Sequence, residues 1–206
     1  MNIVDQVRDR ILSGAVGAGQ PVRQDALAAE LGISKIPLRE ALARLEQEGL
    51  VRAEANRGFF VRSLTASEAE EVYALRLSLE PEAAAAGAAV ASDAQREAAC
   101  SALAALEVAI ERRAGSVGAL NRAFHLALVR PAGRELTADI LSRLQVLSER
   151  YVRVHLQPSG RDERANEEHR ELLERWIERD GIAVAALTRE HLGRTLADLR
   201  RQLGTD

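Results

Sequence analysis

The 206-residue sequence holds one cysteine, Cys100, one lysine, Lys35, and only 3% aromatic residues. A single thiol excludes an intrachain disulfide and a thiolate zinc cluster, and Cys100 is expected to pack as a small buried hydrophobe. Long apolar runs are missing as well. The longest uncharged one, Ala83 to Ala91, falls far short of the roughly 20 residues that cross a bilayer, so no membrane span is expected. The first residues carry Asp5, Arg8, Asp9 and Arg10 where a secretory signal would have an apolar core, and a cytoplasmic protein is expected. Charge of neither sign dominates. With 28 Lys+Arg against 31 Asp+Glu, the formal net charge is -3, and the chain as a whole does not advertise a nucleic-acid partner.

What the chain does have is Ala, Leu, Glu and Arg, the residues that lose least on entering a helix, and 47% hydrophobic residues, enough for a packed core. A mostly α fold follows. Charge and punctuation divide it near residue 62: residues 1–62 sum to +1 and residues 63–206 to -4. In the first part Ile3, Val7, Ile11 and Leu12 repeat at helical spacing up to Ser13-Gly14. A second helix reads from Gln24 to Leu31 and closes at Gly32. Ser34 is placed to cap a third, from about Lys35 to Glu48, with Leu38, Leu42 and Leu45 on one face. After Gly49 the pattern becomes two short strands around Asn56-Arg57-Gly58, a β-hairpin whose Asn and Gly accept positive φ. From Thr65 onward only helical segments are found, spanning about 66–90, 93–113, 117–129, 134–154, 162–180 and 182–203. Their short connections favour an antiparallel bundle, and Pro81 should kink the first segment.

Helix, helix, glycine turn, helix, hairpin is the order of a winged helix-turn-helix, whose third helix enters the major groove. Ser34, Lys35 and Arg39 lie at the N-terminal end of that helix, and Arg57 at the hairpin tip. The plainer reading is a small helical subdomain with a solvated charged face. The string ISKIPLREALARLEQEGLV, Ile33 to Val51, and the wing string NRGFFV, Asn56 to Val61, resemble the signature of GntR-family transcription regulators. Lys35 stands where Arg is commoner, Ile36 where Thr is, and Ala18 where Pro often precedes the first-loop glycine. The resemblance implies that Ser34, Lys35, Arg39, Arg57 and Gly58 contact DNA, Lys or Arg donating to guanine O6 and N7. A side chain at position 58 would hold the wing away from the groove.

The rest of the chain resembles the FadR-like subfamily with an FCD effector domain, a helical bundle. Arg76, Leu79 and Glu80 in YALRLSLEPEAAAAGA match its first effector helix, Phe124-His125 its F-H pair, and His169 after Glu168 and His191 its last two histidines. That resemblance places three of the four histidines on metal-ligand positions and leaves His155 unplaced. Asn121 stands where the family has Asp. Asn121 and His125, i and i+4, share a helix face, and imidazole nitrogens suit zinc or nickel. An amide oxygen is a weaker, neutral ligand, which leaves a divalent ion's charge to be met by an anion such as an effector carboxylate, with Arg76 able to add a bidentate grip.

The sequence therefore predicts a winged helix-turn-helix domain over 1–64 and an FCD-type effector and dimerisation domain over 65–206. The expected function is a homodimeric transcription regulator, a repressor, binding double-stranded DNA with a short inverted repeat and sensing a small carboxylate. Divalent metal is expected at Asn121, His125, His169 and His191, and effector contacts at Arg76 and Asn121. Two alternatives use the same residues: a direct metal sensor, and a metalloenzyme built on His125, His169 and His191.

Overall fold

The computed structural model describes residues 2–63, 65–112, 114, 116–156 and 160–204. The chain forms two compact units, Met1–Leu64 and Thr65–Asp206.

In the first unit, α1 (Ile3–Leu12) is capped by Asn2, whose side chain accepts from the Asp5 amide at 2.9 Å, and buries Val7 and Ile11. Arg8 reaches across to Glu48 at 2.9 Å and ties α1 to the residue that caps the end of the third helix. Next comes α2 (Gln24–Leu31), which stops at Gly32. The third helix, α3 (Lys35–Gln47), buries Leu38, Ala41, Leu42 and Leu45, the face that leucine spacing selects. Ser34 occupies its N-cap position in extended backbone, yet the hydroxyl makes no capping bond. The expected cap is therefore absent, and the side chain is exposed.

The hairpin pairs β1 (Val51–Glu54) with β2 (Gly58–Val61), in register Val51↔Val61 to Glu54↔Gly58. At its tip the Arg57 amide donates to Glu54 O at 3.0 Å. Asn56 (φ 60°) and Gly58 (φ 86°) both take positive φ, the conformation for which these residue types are suited. The other edge of β2 is also paired: Gly19 N donates to Val61 O at 2.9 Å, Val22 N to Phe59 O at 2.8 Å and Val61 N to Gln20 O at 3.0 Å. The stretch between α1 and the second helix thus extends the wing to three paired segments.

The second unit is all helical: α4 (Ala66–Val90), α5 (Asp93–Glu111), α6 (Val117–Val129), a 3-10 turn (Arg130–Ala132), α7 (Glu135–His155), α8 (Arg161–Ile177) and α9 (Gly181–Leu203). Side-chain caps at Thr65, Ser92 and Asp180 start α4, α5 and α9, Ser92 with Gln95 as a full capping box. α4 continues through the buried Pro81 as one helix. It runs through the middle of the bundle, against α6, α7 and α9. Where α4 crosses α6, a Cβ on Gly87 would lie 2.0 Å from Leu128 O, so only glycine permits this approach. Trp176 Nε1 donates to both Ala84 O and Leu128 O, each at 3.1 Å, and joins α8 to the crossing. Cys100 is half-buried against the rim of the core, not enclosed as expected, because its face of α5 borders solvent. No helix is long and apolar enough to cross a membrane among the described residues.

Candidate functional site

The bundle brings His125 from α6, His169 from α8 and His191 from α9 together, all three buried, with one ring nitrogen from each lying within 4.8 Å of the others. Two carboxylates orient them. His125 Nδ1 is 2.7 Å from Glu80 Oε1, and His191 Nδ1 is 2.7 Å from Glu168 Oε2. A carboxylate can only accept, so each Nδ1 carries a proton, and the neutral form of each ring has its lone pair on Nε2. His125 Nε2 is buried with no partner, as is His169 Nδ1. His169 Nε2 and His191 Nε2 are 3.3 Å apart, close to the edge of about 3.3 Å that 2.0–2.1 Å bonds to a tetrahedral ion would give.

Protonation supports the same use. Burial drives the His125 pKa down to about 4 against the pull of Glu80, and drives that of His169 well below its ordinary value, with His191 and His125 adding to the effect. Neutral imidazoles are the form that binds metal. Burial opposes the charge on Glu80, but Arg76 and His125 outweigh it and hold the carboxyl well below the usual range. Glu168 is likewise half-desolvated, yet hydrogen bonding to His191 and Arg194 holds it at about 2.

Arg76 is fully buried on α4. Its Nε and Nη2 donate to Glu80 at 2.9 and 3.1 Å, and Nη1 donates to Ser148 Oγ at 3.1 Å. The edge expected to grip an effector carboxylate is thus closed on Glu80, although Arg76 still lines the cavity beside the histidines. That cavity holds about 20 Å³ of free volume, with Tyr73, Asn121, His155 and Thr195 also on its walls. Asn121 is buried one turn before His125 on α6. The donor set of three neutral nitrogens and an amide oxygen fits a divalent first-row ion. Since Glu80 and Glu168 are already neutralised by Arg76 and Arg194, the ion's charge would still call for an anion beside it.

Sequence reasoning gave no role to Glu168 or His155, and matched Glu80 only as part of a helix motif. His155 is enclosed at 4% exposure, its Nδ1 unpartnered and 3.5 Å from Asp198 Oδ2. The one usable signal was that Glu168 directly precedes His169.

In the first unit Ser34, Lys35 and Arg39 are exposed on the opening turn of α3, and Arg57 is exposed at the hairpin tip. Lys35 Nζ pairs with Asp25 at 2.5 Å. The Arg57 guanidinium lies 4.9 Å from the centre of the Phe60 ring and pairs with Glu54, a stacked posture that steadies it. Gly58 is required by its φ before any question of room for DNA arises.

Two family descriptions match the chain: bacterial regulatory proteins of the gntR family over residues 1–61, and the FCD domain over residues 71–194. The chain belongs to the GntR family of transcriptional regulators and carries an FCD domain. The Nta operon transcriptional regulator of Aminobacter aminovorans is 35% identical over 132 residues, which cover 64% of this GntR regulator and 61% of that protein. The Gluconate operon transcriptional repressor of Bacillus licheniformis is 38% identical over 80 residues, 39% of this chain and 32% of that one. The chain thus spans less than two thirds of the length of these relatives. The solved structure of E. coli McbR/YncC superimposes with a TM-score of 0.81 over 97% of this chain and 95% of its own, at 21% identity, a likeness of fold. The family description and these two relatives are those of transcription regulators, not enzymes, and the metalloenzyme alternative is set aside on that ground.

Proposed function

We propose that this GntR regulator is a cytoplasmic, homodimeric repressor whose two winged units read the halves of a short inverted repeat, and whose FCD domain binds a small organic acid through a divalent ion. The observation that carries the effector reading is the buried trio His125, His169 and His191. Two of its rings are locked by carboxylates in the tautomer that presents Nε2, and His125 Nε2 has no protein partner. An ion held there by the three imidazoles and Asn121 would supply positive charge for a carboxylate. The chain's own residues do the rest: Glu80 and Glu168 fix ring orientation, Arg76 holds Glu80, and the apolar bundle excludes competing water.

Two-fold protein symmetry calls for two-fold DNA symmetry. An effector that binds one arrangement of the dimer better than another shifts the population and lowers operator affinity. The test couples metal analysis of purified protein with thermal shifts for small mono- and dicarboxylates and sugar acids. A near-stoichiometric ion, together with an acid that raises the Tm and weakens DNA binding, is the expected result. A carboxylate shift that survives chelation would overturn the metal-borne mode, and no ion and no shift would overturn the whole effector reading.

One observation favours a second reading, a direct metal sensor. The cavity's 20 Å³ of free volume suits an ion with a water better than an organic acid, which would have to widen it. This reading requires that zinc or nickel alone, with no acid present, change DNA affinity.

A further inference from the structure

Among the described residues of the first unit, Ile36 is the one large apolar side chain left exposed, at 72%. The other exposed positions near it include Ser34, Lys35, Arg39, Glu40 and Ala43. It stands second in α3, while the helix's buried face is Leu38, Ala41, Leu42 and Leu45. Ile36 therefore points off the opposite face and takes no part in the core. Its charged neighbours there are the cationic Lys35 and Arg39 and the anionic Glu40. Lys35 carries only an exposed pair with Asp25, a contact of little worth in water, and no bond of Arg39 is found among the described residues.

We propose that Ile36 reads the 5-methyl group of a thymine in the major groove, and so sets a base preference that the cationic residues around it do not. This rests on the proposal above that α3 enters the groove. Lys35 and Arg39 bracket Ile36 within about one helical turn, some 5.4 Å, or one to two base steps. Cationic side chains donate to guanine or phosphate but cannot recognise a methyl. An apolar side chain can donate nothing, and its gain in that groove comes from covering the thymine methyl, the only apolar group the base edges offer there. The operator half-site thus contains a thymine within one or two base pairs of the position contacted by Lys35 or Arg39.

The experiment uses the full chain. A randomised DNA pool is selected for bound sequences, and affinity for the selected site is measured at fixed salt with each thymine replaced in turn by deoxyuridine, which lacks only the methyl. One thymine per half-site is expected to lose about fourfold in affinity, the worth of one buried carbon. The loss should persist in Ile36→Val and vanish in Ile36→Ala, whose weaker binding should no longer distinguish thymine from uridine. A site insensitive to every deoxyuridine replacement, or equal sensitivity in wild type and Ile36→Ala, overturns the methyl contact while leaving DNA binding intact. Failure to enrich any sequence overturns the groove-reading role of α3, and this contact with it.

Discussion

Two neighbours act on His125 in opposite directions: the apolar bundle disfavours its charge, and Glu80 favours it. Burial prevails, the pKa falls to about 4, and Glu80 is left to fix the tautomer. The same division of labour holds for Glu168 and His191, and there it is accessible to mutation because Arg194 keeps Glu190 as a second partner. Glu168→Gln is expected to loosen a divalent ion by roughly 10–100-fold, the usual effect of losing a carboxylate behind a ligating histidine, with the Tm of the metal-free protein little changed. Titration with zinc or nickel, followed by calorimetry, checks both parts. Asn121→Asp should move the affinity the other way, since an anionic ligand offsets charge that an amide cannot, and tighter binding in the same titration is the result to look for. Lys35 supplies a residue-scale prediction in the first unit. Asp25→Asn frees its ammonium and removes a carboxylate beside the opening turn of α3, so on the proposed docking DNA affinity should rise and the salt slope of log K should steepen.

Helices α4 and α6 depend on one missing side chain. A methyl at position 87 would meet the Leu128 carbonyl at 2.0 Å, and that carbonyl is held in place by the hydrogen bond it accepts from Trp176 Nε1. Gly87→Ala is expected to destabilise the protein by about 1–3 kcal/mol, as overpacking in a tight core does, measured by chemical denaturation. Helix positions were largely legible from sequence, because Gly, Pro, Ser and Asp punctuate them and the leucine spacing of α3 marks its buried face. The pairing of residues 19–22 with β2 was not legible. A stretch holding Gly17, Gly19 and Pro21 shows no alternation, and its hydrogen bonds come from backbone that sequence does not distinguish. The candidate site was half legible. Asn121 and His125 share a face by spacing, but the Glu80–His125 and Glu168–His191 bonds join different helices and exist only after the bundle packs. For the same reason the closure of Arg76 on Glu80, an i,i+4 pair that could equally have faced solvent, was not foreseen.

Acid should destabilise the second unit through its histidines. His125 and His155 titrate at about 4 and His169 well below 6.5 in the folded state, burial being the first cause in each, while in an unfolded chain they titrate near 6.5. Between about pH 6.5 and 4 the unfolded state therefore binds more protons, and stability rises with pH through that window. Each uncoupled histidine contributes a slope of about 1.4 kcal/mol per pH unit. Denaturant midpoints measured from pH 7 to 4.5 should fall steadily, and a flat profile would show that these rings are charged in the folded protein. The chain also contains one tryptophan, fully enclosed where α8 meets α4 and α6. Those same three helices carry Glu80, His125 and His169, so the protein has a native fluorophore on the helices that hold the histidine cluster. Whatever the ligand, a rearrangement that parts these helices would let water reach the indole and red-shift its emission, an optical readout of switching that needs no label.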